Sequence, residues 1–156
     1  MAIAKLSKIA GRVVLLALVV MQLFRPERTN PASDPSASFE AVVKPPPEVT
    51  SSLKRACHDC HSNQTAWPWY SNIAPASWLI ASDVNEGRAH LNFSNWTQAG
   101  AEGEKPDVED LCSEVRERKM PLPAYTLLHP QAKLSGQEIA AVCALSVAQE
   151  EAAVDR

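Results

Sequence analysis

The chain has 156 residues, with 15 Lys and Arg against 18 Asp and Glu and a net charge of −3. That length suits one core with short flanking segments, and the acidic balance argues against a nucleic-acid partner. Four cysteines and twelve prolines, unevenly placed, carry most of the remaining information.

At the N-terminus, Lys5, Lys8 and Arg12 precede an uncharged run of 12 residues from Val13 to Phe24. The run matches the apolar core of a signal peptide and is short for a spanning helix. Counting back to Ile3 lengthens it, because lysine and arginine stems can snorkel to an interface. No small-residue cleavage pattern follows directly; Met21-Gln-Leu-Phe-Arg-Pro26 does, and Ser36-Ala-Ser38 comes too late. Residues 1–24 are therefore expected to form an uncleaved transmembrane signal anchor, basic end inside. The chain would then be a single-pass inner-membrane protein with its domain in the periplasm. The anchor takes three basic residues and no acidic ones, leaving 12 against 18, a net −6 outside it. Such a surface also disfavours anionic lipid and admits a basic redox partner.

Residues 25–48 hold six of the twelve prolines (Pro26, Pro31, Pro35, Pro45, Pro46, Pro47). This composition predicts a tether tending to polyproline II, at about 3.1 Å per residue, with Phe39, Val42 and Val43 as candidates to dock on the domain. Residues 49–150 are the expected domain, and 151–156 a tail.

Within the domain the signals are helical. Val49, Leu53, Ala56, Cys57 and Cys60 recur every three to four residues, and a second apolar stretch runs from Ala76 to Val84, ending near Gly87. Asp107 can cap a helix with a stripe of Val108, Leu111, Cys112 and Val115. Ser135-Gly-Gln-Glu138 is a capping box ahead of Ile139, Val142, Cys143 and Ser146. Little strand alternation appears, so the fold class is all-α.

The first of these helices delivers Cys57-His-Asp-Cys-His61, the C-x-x-C-H signal for attachment of a c-type haem. Two thiols on one short helical segment suit the two vinyl groups of the porphyrin, and the next residue presents an imidazole to the iron. Cys57 and Cys60 are the expected thioether anchors of one covalent haem c per chain, with His61 the proximal ligand. A zinc site would add a second close ligand pair, and a thioredoxin-type motif would need a βαβ pattern. His58, on another side of the turn, reads as solvated.

The iron needs a sixth partner or an open position. Met120 is the strongest candidate, a soft thioether opening Met120-Pro-Leu-Pro-Ala-Tyr125, which the prolines predict to be a rigid extended loop. Core packing of Met120, ligation by His90 or His129, and an open site are the alternatives. Cys112 and Cys143, each on the apolar stripe of a helix, are read as a disulfide rather than two buried thiols. The bond would close a 31-residue loop around Met120, worth roughly 3–4 kcal/mol by loop entropy.

Several blocks resemble one family. Cys57-His-Asp-Cys-His-Ser-Asn-Gln-Thr-Ala-Trp-Pro-Trp-Tyr70, Ile73-Ala-Pro-Ala-Ser-Trp78, Gly87-Arg-Ala-His-Leu-Asn-Phe-Ser-Asn-Trp96 and Met120-Pro closely resemble the bacterial haem-binding domain family, over roughly residues 39–150. The resemblance implies a membrane-tethered, monohaem, cytochrome c-like domain in which Cys57, Cys60 and His61 carry the haem and Met120 is the distal ligand. Trp67, Trp69, Tyr70, Trp78 and Trp96 are then candidates for a wall around the macrocycle. Arg88, His90 and Tyr125 are candidate partners for a haem propionate. The leading function is electron transfer with an unidentified redox partner protein. A haem-based peroxidase or ligand sensor with a labile sixth position is the alternative from a different class.

Overall fold

The computed structural model describes residues 2–97, 100 and 106–154, with side chains between residues 5 and 148. Among them the elements are α1 (Ala2–Met21), α2 (Phe39–Val42), α3 (Pro47–Ala56), α4 (His58–His61), α5 (Ala76–His90), α6 (Val108–Arg116), α7 (Pro123–Leu128) and α8 (Gly136–Val154). Short 3-10 turns at Pro35–Ala37, Trp69–Asn72, Phe93–Asn95 and Pro130–Ala132 complete the set. The described chain is all-helical, without a strand, as its periodicity predicts.

The fold divides into two compact units, residues 1–29 with 67–83, and residues 30–66 with 84–156. In the first, side chains that follow α1 bind the segment 67–83. The Gln22 amide pairs with the backbone of Ala74 in both directions, Nε2 donating to the carbonyl at 3.1 Å and Oε1 accepting from the N–H at 2.9 Å. Arg28 donates to Ser71 O and Oγ and to Asn72 Oδ1, and Trp78 Nε1 donates to Phe24 O.

The expected transmembrane anchor is corrected here, and with it the single-pass inner-membrane placement. Among the described residues no helix is long and apolar enough to cross a membrane. Lys5, Lys8 and Arg12 occupy the first half of α1. The uncharged run beyond them would cover only about 18 Å as helix, against a hydrocarbon thickness of about 30 Å.

The second unit holds the hydrophobic core. Phe39, 1 % exposed, meets Phe93 and Trp96 edge-on with ring centroids 5.3 and 4.7 Å away. Around this aromatic knot pack Val49 and Leu53 of α3, Val108, Leu111 and Val115 of α6, and Val142 of α8. The Pro-rich stretch thus contributes a core residue, and Trp96 N donates to Ala37 O at 2.8 Å.

The sequence signals at helix starts map onto real caps. Asp107 Oδ1 accepts from Glu109 N at 3.2 Å to open α6. Ser135 and Glu138 form the capping box of α8, Ser135 N donating to Glu138 Oε2 at 2.8 Å and Glu138 N to Ser135 Oγ at 3.2 Å. Glu138 also accepts from Ser52 Oγ at 2.9 Å and pairs with Arg55, tying α3 to α8. The Ser135 N–H, more than the neighbouring guanidinium, holds this carboxyl down at about 2. α6 packs on α8, and Cys112 and Cys143 join them in a disulfide with Cα atoms 4.7 Å apart. The tail is helical to Val154; its last two residues lie outside the described part.

Candidate functional site

The site is built from the end of α3 and the turn after it. Proline at the first helical position starts α3 without the loss of a hydrogen bond. Val49, Leu53 and Ala56 bury one stripe, which carries Cys57 into the core at 9 % exposure. α4 then winds a single turn, with Cys60 N and His61 N both directed at Cys57 O, at 3.2 and 2.9 Å. Offsets of three and four residues bring Cys57, Cys60 and His61 onto one face.

His61 is oriented by a neighbour distant in sequence. Its Nδ1 lies 3.1 Å from Leu91 O. A carbonyl can only accept, so the proton sits on Nδ1 and the lone pair on Nε2. Burial lowers the pKa of this imidazole, while the carbonyls of Leu91 and Gly87 pull it the other way. A neutral ring, anchored through one nitrogen and basic at the other, is what metal ligation requires.

The loop after the pentad is fixed by its own side chains. Thr65 Oγ1 donates to Asp59 O at 2.7 Å, Ala66 N to Asp59 Oδ1 at 3.0 Å, and Asn63 N to Ser94 Oγ at 3.0 Å. Arg88 closes the arrangement, donating to Ser62 O at 2.8 Å, Thr65 Oγ1 at 2.8 Å and Asn30 Oδ1 at 2.9 Å. Those contacts engage the guanidinium considered above for a propionate with the loop.

Three readings of individual residues change. His58 is not solvated: it is 9 % exposed, stacked on Phe93 at 4.8 Å, with Nε2 4.0 Å from Glu40 Oε1. Gly87 does not end its helix, because α5 continues to His90. The segment from Met120 to Tyr125 is not extended throughout, since Pro123 starts α7 and Tyr125 lies inside it. Of the aromatic residues, Trp96 is a core residue at 6 % exposure, and Trp69 is 74 % exposed.

The structure brings Cys57, Cys60 and His61 together on one turn; Met120 stands on a separate strap. Met120 N and Lys119 N both donate to Glu114 O, at 3.2 and 3.1 Å, and Arg118 Nη1 donates to Leu134 O at 2.9 Å. The Met120 side chain is partly buried. His90 is exposed at the end of α5, and His129 stacks on Tyr125 at 4.3 Å.

The residues present fit a haem. Cys112 and Cys143 are consumed by each other, whereas the thiols of Cys57 and Cys60 take no part in a disulfide. A helical unit offering two thiols and an oriented, neutral imidazole on one turn defines a haem-protein site. The chain belongs to the haem-binding domain family, whose profile matches residues 16–146. No curated protein and no solved structure matches it.

Proposed function

We propose that this chain is a monohaem c-type cytochrome, cytochrome c-like in fold, that passes single electrons to and from a partner protein. Cys57 and Cys60 hold the haem through thioethers, His61 Nε2 is the proximal ligand, and Met120 sulfur is the sixth. The observation that carries this reading is the His61 Nδ1 to Leu91 O contact at 3.1 Å, which fixes ring orientation and tautomer for ligation. Haem supplies a one-electron iron couple, and a thioether ligand raises its potential. The protein's part is to bind, orient and shield: Cys57 is buried, the loop 62–66 is pinned by Arg88, and the strap brings a soft sulfur.

Absorption spectra of the purified protein in both oxidation states test the reading. A ferric sulfur-to-iron charge-transfer band is expected, lost in Met120→Ala together with a large fall in potential, while haem content stays near normal. A wild-type protein that is high-spin and reacts rapidly with peroxide would instead establish the peroxidase or sensor alternative.

A further inference from the structure

The pentad and the strap that carries Met120 share a side-chain hydrogen bond that the ligand set does not require. Tyr125 Oη donates to Asp59 Oδ2 at 2.8 Å. Asp59 is the second of the two residues between the cysteines, and its carboxylate is already oriented by Ala66 N on Oδ1 at 3.0 Å. Its backbone carbonyl is held in turn by Thr65 Oγ1 at 2.7 Å. The acceptor is therefore fixed before the phenol reaches it.

The donor is fixed as well. Tyr125 lies in the first turn of α7, and its ring stacks on His129 with centroids 4.3 Å apart. Between Met120 and Tyr125 the chain contains Pro121 and Pro123, which remove backbone freedom. Displacement at Tyr125 is thus carried back to Met120 with little slack. On its upstream side the strap is tied to α6 through Glu114 O and to Leu134 O through Arg118. Those ties set the strap on the α6 side of the unit. The bond to Asp59 sets it against the segment that presents His61.

We propose that the Asp59–Tyr125 hydrogen bond is a latch that positions Met120 at the sixth coordination site and governs how readily that ligand leaves. The proposal rests on the His61 and Met120 ligation stated above. Tyr125 acts here as a positioning residue, through the strap. A hydrogen bond to a carboxylate is stronger than one between neutral groups, so its loss is felt at the ligand it restrains. The hydroxyl considered for a propionate is engaged with the pentad, a few residues from the proximal histidine.

The test uses full-length, haem-loaded ferric protein with imidazole as the probe, in wild type, Tyr125→Phe, Asp59→Ala and the double variant. At saturating imidazole the binding rate reports departure of the methionine. Tyr125→Phe should raise that limiting rate roughly tenfold, the order expected for a hydrogen bond to a charged acceptor. Its charge-transfer band should persist when cold and fade at a lower temperature than in wild type. Asp59→Ala should raise it at least as far, since it also removes the acceptor of Ala66 N, and the double variant should be no faster than Asp59→Ala, because the Tyr125 bond is already lost there. Limiting rates in both single variants equal to wild type, with the wild-type band present, would overturn the latch and leave Met120 ligation standing. A wild-type protein without the band, binding imidazole as fast as Met120→Ala, would overturn both.

Discussion

A β-carbon placed on Gly87 would lie 2.7 Å from Cys60 O and 3.1 Å from Cys60 C, so α5 meets the pentad backbone to backbone. Any side chain at position 87 must displace either helix α5 or the turn that aligns Cys60 with His61. Gly87→Ala is expected to cost about 1–3 kcal/mol, as overpacking against unyielding atoms does. Haem content per chain should fall with it, measured from the reduced pyridine spectrum; full occupancy and wild-type stability would show that the turn can give way.

Burial pushes the Cys57 thiol up to about 12, with the neighbouring Cys60 adding to the shift. Because the thiolate is the reactive form, haem-free folded protein at about pH 8 should be alkylated at Cys60 well before Cys57. Mass mapping of iodoacetamide adducts checks the order, and equal rates would contradict it.

His58 gives the protein an acid-sensitive element. Burial holds its pKa below 6.5, only partly opposed by Glu40. Below about 6.5 the unfolded chain takes up a proton that the folded chain resists, so stability falls as pH falls and is level above. His58→Phe, which keeps a flat ring against Phe93, should flatten the slope of denaturant midpoint between about pH 6.5 and 5. Carboxyls such as Glu138, held down at about 2, add their loss only at lower pH. An unchanged slope in His58→Phe would refute the assignment.

Phe39 tests how far the folded unit extends upstream. At 1 % exposure between Phe93 and Trp96 it should behave as a full core residue, with Phe39→Ala costing about 3–5 kcal/mol. A loss below about 1 kcal/mol would mean that residues 30–48 only rest on the surface.

What could be read from the sequence was local. The helical stripes, the Asp107 cap and the Ser135–Glu138 box depend on offsets of a few residues, and each appears as expected. What could not be read depends on partners distant along the chain. Arg88 resembled a ligand-binding cation because nothing nearby shows that Ser62, Thr65 and Asn30 engage it. Gly87 in a helical run carried a signal, since a mid-helix glycine without a cap role often marks a close approach. His58 looked solvated because the aromatic ring beneath it, Phe93, lies 35 positions further on. The N-terminal run failed for a different reason: its apolar character was plain, but three charges within α1 leave too short a span.

The bond between Cys112 and Cys143 encloses every residue of the strap. A protease that cuts at Lys119, whose side chain is more than half exposed, leaves two pieces that remain one molecule until a reductant is added. Clipped protein therefore runs at full mass on a non-reducing gel while its methionine stands beside a severed backbone. Purity judged that way would pass samples whose backbone is cut inside the loop that the disulfide closes.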